Sequence, residues 1–135
     1  MRLERATAYA ILAMAYLSES DAGSPQQVHM ISKETGVPVE YLRKLMGRLA
    51  RARLISSTRG RHGGFRLSKA RKNITVLEVV EAIEGPVDAQ SVLDDDLVRT
   101  RKDKSGKLLD RWRQSTGQRL RELLQATNLA EIGPQ

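Results

Sequence analysis

The sequence predicts a mainly α-helical protein with one small β-hairpin, and two patterns indicate this class. Apolar residues recur at three- and four-residue steps in several separate stretches, which is the spacing of one helix face. A glycine-rich segment, TRGRHGGFRLS, interrupts these stretches and is bordered by short extended runs. With its 135 residues, the chain corresponds to about one domain.

The first two helices are predicted before residue 36. Residues 3–18 form a helix whose apolar face contains Leu3, Ala6, Ala10, Met14 and Leu17. A shorter helix is predicted from Pro25 to Thr35, because the preceding Ser24 can cap it and proline suits its first position. Gly36 is placed to end this helix in a left-handed conformation.

The third helix, predicted from Pro38 to about Arg53, has two chemically different faces. One face is apolar, with Leu42, Leu45, Met46 and Leu49, and the other is basic, with Arg43, Lys44, Arg48 and Arg51. Only residues 36–38 connect it to the second helix. Two helices joined by so short a connection form a helix-turn-helix.

A β-hairpin is predicted next, with extended segments at 54–59 and 65–68 on either side of the glycine-rich tip. Phe65 and Leu67 alternate with Arg66, so the two apolar side chains can pack inward while the arginine points outward.

The fourth helix is predicted to begin after Thr75, which forms a capping box with Glu78, and to end at Gly85. Three helices, a hairpin and a helix in this order make a winged helix-turn-helix domain, which we assign to residues 1–86.

The remaining residues are predicted to form a linker and a dimerisation helix. Residues 87–106 contain few apolar residues and a run of three aspartates, so a loop or mobile segment is expected. A long helix follows at 107–124, and residues 107–135 are assigned to dimerisation, because a second copy of the chain can cover an apolar stripe that a small preceding domain leaves open. The predicted dimerisation residues are Leu108, Leu109, Trp112, Leu120, Leu123 and Leu124.

The net charge of +7 is concentrated in one part of the chain. Residues 43–72 contain eleven Lys or Arg residues and no Asp or Glu, whereas the rest of the chain contains twelve basic and sixteen acidic residues. Such a concentration indicates a polyanionic partner. A solvated helix face is the plainer alternative, but like charges at helical spacing repel one another.

Several other classes of protein lack the residues that they need. The chain has no cysteine, which excludes disulfides, Cys-ligated zinc and thiolate-ligated clusters and is typical of a reducing cytoplasm. No apolar run approaches the roughly 18 residues of a membrane span. The N-terminal segment carries Glu4 and Arg5, so we expect a mature helix rather than a signal peptide. No Ser/His/Asp constellation or metal-ligand set is present, and no enzyme is expected.

The glycine-rich tip has four possible interpretations. A nucleotide-binding loop needs a lysine and a hydroxyl that open a helix, whereas this segment leads into a strand. A metal site at His62 needs further ligands, and the only other histidine, His29, is expected to pack or face solvent. A plain hairpin turn with incidental arginines and a wing that contacts DNA are the two remaining interpretations.

The pattern of residues 41–85 resembles a known family. It consists of Y-L-x-x-L-x-x-x-L, then L-I-x-S-x-R-G-x-x-G-G-F-x-L, then I-T-V-L-E-V-V-E-A-I-E-G. This pattern is similar to that of the Rrf-two (Rrf2) family of bacterial winged-helix transcription regulators, and residues 1–3 and 127–132 also look familial. The resemblance implies a homodimer in which the second helix of the pair enters the major groove of promoter DNA and the wing reaches the minor groove.

The residues that the resemblance places at DNA are Pro38, Val39, Tyr41, Arg43, Lys44, Arg48, Arg51, Arg59, Arg61, His62 and Gly64. Arg43 is chemically suited to a guanine edge, and Lys44, Arg48 and Arg51 to phosphates. The resemblance implies that Arg59 enters the minor groove while the glycines let the backbone approach DNA closely. The family usually has a glycine where this chain has His62, so the tip is bulkier here.

The signal that such a regulator would sense is left open. Cluster-binding relatives place three cysteines in the region corresponding to 88–106, and because this chain has none, no iron–sulfur cofactor is expected. Asp94, Asp95 and Asp96 are expected to be solvated loop charges rather than a metal site. A small-molecule effector that binds against Trp112 and a partner protein both stay open, although Trp112 is favoured as a dimer-interface anchor.

The sequence therefore predicts a cytoplasmic, dimeric, sequence-specific DNA-binding transcription regulator that acts as a repressor. The alternative is a basic RNA-binding or ribosome-associated module. Such a module normally stacks bases on aromatic side chains. The basic segment offers only Tyr41 and Phe65, and Phe65 is expected to face inward.

Overall fold

The computed structural model describes residues 2–20 and 24–133, which form seven α-helices and one two-stranded sheet. The elements are α1 (Arg5–Glu19), α2 (Val28–Thr35), α3 (Val39–Arg51), β1 (Ile55–Thr58), β2 (Gly64–Leu67), α4 (Val76–Glu84), α5 (Asp95–Thr100), α6 (Lys104–Gln125) and α7 (Leu129–Ile132). Short 3-10 turns occupy Arg71–Asn73 and Ala89–Ser91. The predicted mainly helical fold with a single hairpin is confirmed.

One hydrophobic core holds α1 to α4 together. Its fully buried side chains include Met14, Ile31, Leu42, Met46 and Leu49, which lie on helix faces that the apolar periodicity predicts. The predicted placement of Leu3 on the apolar face of the first helix is wrong, because α1 begins at Arg5 and Leu3 is 49% exposed. Helix α1 contacts α2, α3 and α4, so it lies at the centre of this arrangement. Because α3 buries its apolar face against these helices, its basic face is turned outward.

The predicted start of α2 is wrong. The helix begins at Val28, and Gln27 at its N-cap makes no capping bond through its side chain. Residues before it are extended instead, because the backbone of Gln26 pairs with that of Phe65 on β2, at N–O distances of 2.8 and 2.7 Å. Two backbone hydrogen bonds to a strand outweigh the local capping preference. The predicted end of α2 is confirmed, since Gly36 has a φ of 77°.

Helix α3 ends in a Schellman motif built around an arginine. The N–H of Leu54 donates to the carbonyl of Leu49 at 3.0 Å, and that of Arg53 donates to Ala50 at 2.9 Å. Arg53 has a φ of 63°, a left-handed conformation that usually favours glycine. This turn sends the chain directly into β1.

The hairpin and the start of α4 follow the sequence prediction. Strands β1 and β2 pair antiparallel, with Ser57 opposite Phe65. The capping box at Thr75 is complete, since its side chain accepts from the N–H of Glu78 at 3.2 Å and its own N–H donates to Glu78 Oε2 at 2.9 Å. Burial raises the pKa of Glu78, but hydrogen bonds from Lys69 and the backbone N–H of Thr75 outweigh burial and lower it overall.

The predicted loop at 87–106 is wrong, because the segment contains a 3-10 turn, all of α5 and the start of α6. Asp94 is the N-cap of α5, and Asp95 and Asp96 lie in its first turn, where carboxylates are favoured by the helix dipole. Helix α6 begins at Lys104 rather than 107, because the side chain of Asp103 caps it by accepting from the N–H of Gly106 at 3.2 Å.

A buried arginine ties α5 to α6. Arg113 is 6% exposed, and its guanidinium donates to the carbonyl of Leu93 at 3.2 Å, to Asp110 at 2.9 Å and to Asp95. The hydrogen bond from Arg113 lowers the pKa of the Asp95 carboxyl. These bonds give the segment after α4 a fixed position that its composition does not suggest.

The C-terminal residues are part of the domain core. Leu120 and Leu124 pack against a second apolar cluster of Val76, Leu77, Val80 and Val87. Further on, Leu129 is completely buried in the main core, and its N–H donates to the carbonyl of Ile74 at 3.0 Å. The winged-helix domain and the C-terminal residues therefore share their cores.

Candidate nucleic-acid interface

The predicted recognition helix presents its basic residues to solvent. All four basic side chains of α3, at positions 43, 44, 48 and 51, are exposed, whereas the leucines between them are buried. Pro38 is exposed at the N-cap and Val39 is half-buried at the first helical position. The face that the sequence predicts to meet DNA is therefore open to a partner along the whole helix.

Arg43 has one acidic neighbour within its own helix. Its Nε lies 3.6 Å from Glu40 Oε1, and both side chains are largely exposed. Exposed pairs of this kind contribute about 0–1 kcal/mol. A guanine edge or a phosphate can therefore replace Glu40 as the partner of Arg43 at little cost.

Arg48 is exposed like the other basic residues of α3 but is also bonded within the chain. One of its Nη atoms donates to the carbonyl of Ile83, at the C-terminal end of α4, at 3.4 Å. Carbonyl groups in the last turn of a helix lack intrahelical partners, which makes them good acceptors for a guanidinium. Arg48 thus joins α3 to α4, in addition to its predicted position near phosphate.

Tyr41 is positioned by a second tyrosine. Its ring lies edge-to-face with that of Tyr9 on α1, with centroids 5.5 Å apart. Tyr41 keeps 39% of its surface exposed, so its other edge can reach a partner. Tyr9 did not figure in the sequence prediction, and an aromatic residue on a separate helix gives no spacing signal that links it to position 41.

The tip of the wing carries the predicted cationic and polar side chains. Arg59, Arg61 and His62 are all exposed there. The turn closes through a hydrogen bond from the N–H of Gly63 to the carbonyl of Gly60 at 3.0 Å, and Gly60 has a φ of 109°. Glycine is needed at position 60 for this backbone conformation.

The other two glycines serve the chain's own packing, and the contact of Gly64 with DNA stays a prediction. A Cβ at Gly63 would overlap the backbone of Thr58, and one at Gly64 would overlap that of Gln26. The close backbone approach at both positions is therefore made within the protein. Gly64 holds the extended segment before α2 against β2, and so fixes how the wing sits on the domain.

Gln26 and Gln27, in the segment before α2, support the wing, a role that sequence reasoning missed. Gln27 Nε2 donates to the carbonyl of Arg61 at 3.3 Å, and Tyr16 donates to Gln26 Oε1 at 3.2 Å. The available signal was Gly64 itself, since a glycine within a strand often marks close approach of another backbone.

The side chains after α4 do not fit an iron–sulfur cluster. The chain has no thiolate, and both oxygens of Asp95 are engaged, one by Arg113 and the other by Arg99 at 3.5 Å and Gln90 at 2.9 Å. Among the described residues, no group of three His, Asp or Glu side chains is placed to hold a metal ion. His29 lies exposed on α2.

A helix-turn-helix with an outward basic helix, followed by a basic hairpin, defines a winged-helix protein of the DNA-binding type. Residues 3–134 match the model of the Rrf2 family, described as iron-dependent transcriptional regulators, and the chain belongs to this family. The resemblance seen in the sequence is thus confirmed. Members of this family are transcriptional regulators and not enzymes.

Relatives of known name and structure agree with this assignment. The chain is 37% identical over 89 residues to the transcriptional regulator IscR of Escherichia coli, a match that covers 66% of this chain and 55% of IscR. The chain therefore spans about half the length of the curated relatives that it matches. The structure of CymR, the global cysteine regulator of B. subtilis, covers 98% of this chain and 95% of its own, with a TM-score of 0.75 and 25% identity. That of T. potens IscR gives a TM-score of 0.75 at 22% identity over 98% of this chain and 85% of its own.

Within the described residues, none of the helices is both long and apolar enough to cross a membrane.

Proposed function

We propose that this chain forms a homodimer that represses transcription by binding an imperfect palindrome in promoter DNA, and that it does so without an iron–sulfur cluster. The observation that carries the proposal is the exposed basic face of α3 beside an exposed basic wing. Two copies related by a two-fold axis would insert their α3 helices into successive major grooves. Occupancy of a promoter by such a dimer blocks access of polymerase, which is why repression is proposed.

The concentration of charge makes the binding of DNA strongly dependent on salt. If the dimer makes about six to ten phosphate contacts, its affinity falls roughly 10³- to 10⁵-fold between 50 and 200 mM salt. Fluorescence anisotropy with a labelled duplex measures this slope. An affinity that hardly changes with salt contradicts the proposal.

A substitution of Arg59, at the tip of the wing, distinguishes recognition of the minor groove from nonspecific electrostatic attraction to DNA. Arg59→Ala removes one charge from an exposed position and is expected to weaken binding to the operator more than binding to random DNA, since an arginine in a narrow minor groove responds to DNA shape. Arg71→Ala is the matched control, because it removes an exposed charge beyond the hairpin. Equal losses on both duplexes for Arg59→Ala argue against groove reading.

Exposed apolar side chains on the outer face of α6 support the proposed dimerisation. Leu108, Trp112 and Leu123 are 59%, 54% and 67% exposed, which is unusual for large apolar side chains that lie along one helix face. Leu109 is half-buried, and Leu120 and Leu124 pack within the chain. The proposed interface is therefore centred on Leu108, Trp112 and Leu123, with the other three predicted residues at or behind its edge.

Competition between nucleic acids tests the choice of partner. The proposal expects duplex DNA to displace the protein from structured RNA of equal charge. Preferential retention on RNA at equal salt favours the alternative module and contradicts the assignment to promoter DNA.

A further inference from the structure

A cavity of about 600 Å³ lies between the N-terminal segment, the end of α4 and the inner face of α6. Its volume is within the range of about 300–1,000 Å³ typical of small-molecule sites. Its lining includes the aliphatic residues Val80, Leu120 and Leu124 and charged residues of both signs, Arg2, Glu84 and Asp88. A cavity with an apolar wall and a few charged groups is the usual form of a ligand site.

The charged groups at this cavity keep capacity for a ligand. Glu84 accepts bonds from the N–H of Glu4 at 3.1 Å and from the Thr7 hydroxyl, and both reach Oε2, so Oε1 is not used by them. Asp88 accepts from the N–H of Gln90 through Oδ1 at 2.9 Å, and its side chain also caps the 3-10 turn at Ser91. Among the residues that the structure describes, Arg2 forms no ion pair with either carboxylate.

We propose that this cavity binds a small aliphatic amino acid as its zwitterion. The ammonium group would pair with Glu84 and Asp88, the carboxylate with Arg2, and the side chain would cover Val80, Leu120 and Leu124. A simple amine leaves Arg2 without a partner, and a simple carboxylate leaves both acidic groups without one. A zwitterion with an aliphatic side chain gives Arg2 and both carboxylates an oppositely charged partner and also covers the apolar wall.

One part of the cavity wall is held by close packing on α6, and another part is bonded to α3, the proposed DNA-binding helix. The 3-10 turn that carries Gln90 packs against Gly117 of α6, where an added Cβ would lie 2.7 Å from the backbone nitrogen of Ala89. Glu84 directly follows Ile83, whose carbonyl accepts from Arg48 of α3. A ligand that binds the Glu84 carboxylate therefore lies one residue from the hydrogen bond between Arg48 and Ile83 that links α3 to α4.

This link gives the ligand a route to the affinity for DNA, and that part of the inference rests on the proposed function. Allosteric coupling of this kind typically changes affinity by about 5- to 150-fold. The binding of the amino acid itself does not require DNA. The existence of the amino-acid site and its effect on DNA affinity can therefore be disproved separately.

Binding is tested on the full chain without DNA, by calorimetry with three ligands of equal chain length. Norleucine is expected to bind more tightly than hexylamine, and hexanoate least of all. Glu84→Gln keeps an oxygen that can accept from Thr7 and is expected to weaken binding of norleucine about 10-fold or more, as expected for loss of a charged hydrogen bond. Arg2→Gln is expected to weaken the binding of norleucine but not that of hexylamine.

Glu131→Gln is the control, since Glu131 is an exposed carboxylate on α7 and is not among the residues that line the cavity. No heat of binding for norleucine at about 10 mM, a concentration well above a weak Kd of about 1 mM, overturns the proposal. Equal binding of hexanoate and norleucine also overturns it. If norleucine binds but leaves the affinity for a DNA duplex unchanged, the site stands and its role in regulation is wrong.

Discussion

At the scale of single residues, Arg53 occupies a position that glycine would occupy more easily. It is the only described residue other than glycine with a positive φ, and it closes the Schellman motif after α3. A left-handed conformation costs an L-residue about 1–2 kcal/mol, whereas glycine avoids this cost but loses about 0.4–1 kcal/mol through chain entropy. Its exposed guanidinium lies in the basic segment, so a phosphate contact is a reason to keep arginine despite the strain.

Arg53→Gly is therefore expected to raise the free energy of unfolding by up to about 1.6 kcal/mol, the largest difference between the two backbone terms. Arg53→Ala also removes the charge but keeps the strained φ, so it should not stabilise the protein. Urea unfolding at a fixed protein concentration compares the two. If alanine stabilises as much as glycine, relief of charge repulsion and not backbone strain is the cause.

At the scale of helices, two glycines within α3 and α6 have opposite roles. A Cβ at Gly47 would meet no atom within 4 Å, whereas one at Gly117 would approach the backbone of Asp88 and Ala89 at 2.7 Å. Gly47→Ala is expected to stabilise by roughly 0.5–1 kcal/mol, because alanine is the better helix former. Gly117→Ala is expected to destabilise by about 1–3 kcal/mol, since the overlap is with backbone that cannot rotate away.

The unfolding midpoints of these two variants in urea test the packing of α6 on the segment after α4. They are a matched pair, because each adds one methyl group inside a helix. A stabilised Gly117→Ala would mean that residues 88–91 are not held against α6 as described.

Helix α5 is expected to detach from α6 in acid before the core unfolds. The hydrogen bond from Arg113 holds the pKa of Asp95 below its ordinary value. A carboxyl whose folded pKa is lowered contributes stability above its unfolded pKa of about 3.9, and this contribution is lost as the pH falls through the folded pKa. Relative to the intrinsic exchange rate at each pH, hydrogen exchange should therefore become faster in residues 92–100 below about pH 4 while the amides of α1 stay protected.

Asp95→Asn should reproduce this faster exchange at neutral pH, and Asp96→Asn, at an exposed neighbouring position, should not. Glu78 also has a lowered pKa, so α4 loses stability in the same direction. Faster exchange caused by protonation of Glu78 would appear in α4, which distinguishes it from detachment of α5. Unchanged exchange in 92–100 for Asp95→Asn would show that Arg113 does not hold this helix.

The sequence predicted elements whose hydrogen bonds are local and missed those that depend on distant residues. Apolar periodicity placed α1, α3 and α4, and the capping box at Thr75 set the start of α4, because each signal lies within a few residues. Pairing of Gln26 with Phe65 spans much of the domain, so the local signature at Ser24 and Pro25 gave a wrong helix start. Helix α5 was missed because its stability comes from Arg113 rather than from an apolar face.

The same limit applies to the candidate site. The charge pattern and the family pattern placed α3 and the wing at DNA, and their basic residues are indeed exposed. The sequence could not show that Gly63 and Gly64 serve internal contacts, or that Arg48 reaches Ile83, since neither pairing has a characteristic spacing. Shape and charge of the interface were predictable, whereas the contacts that support it were not.

At the scale of the whole molecule, the C-terminal residues cannot be removed to test dimerisation. Leu129 is fully buried in the main core, and the backbone around it bonds to residues 74–76 at 2.8 and 3.0 Å. Truncation before residue 107 would therefore take away core as well as the proposed interface. A monomer obtained in that way could be an unfolded chain, so the test requires a substitution at the surface of α6.

Trp112→Lys replaces the central exposed side chain of the proposed interface by a charge. Trp112 is 54% exposed in the single chain, so its replacement should leave folding intact while a desolvated lysine opposes association. Sedimentation should show a dimer for the unchanged protein and monomers for Trp112→Lys, with Gln114→Lys, an exposed substitution on the same helix, remaining dimeric. Because two linked α3 helices bind DNA together, the monomer should also lose most of its operator affinity. A Trp112→Lys protein that remains a dimer would place the two-fold interface on another surface, and one that is monomeric yet binds DNA fully would show that dimerisation is not required for recognition.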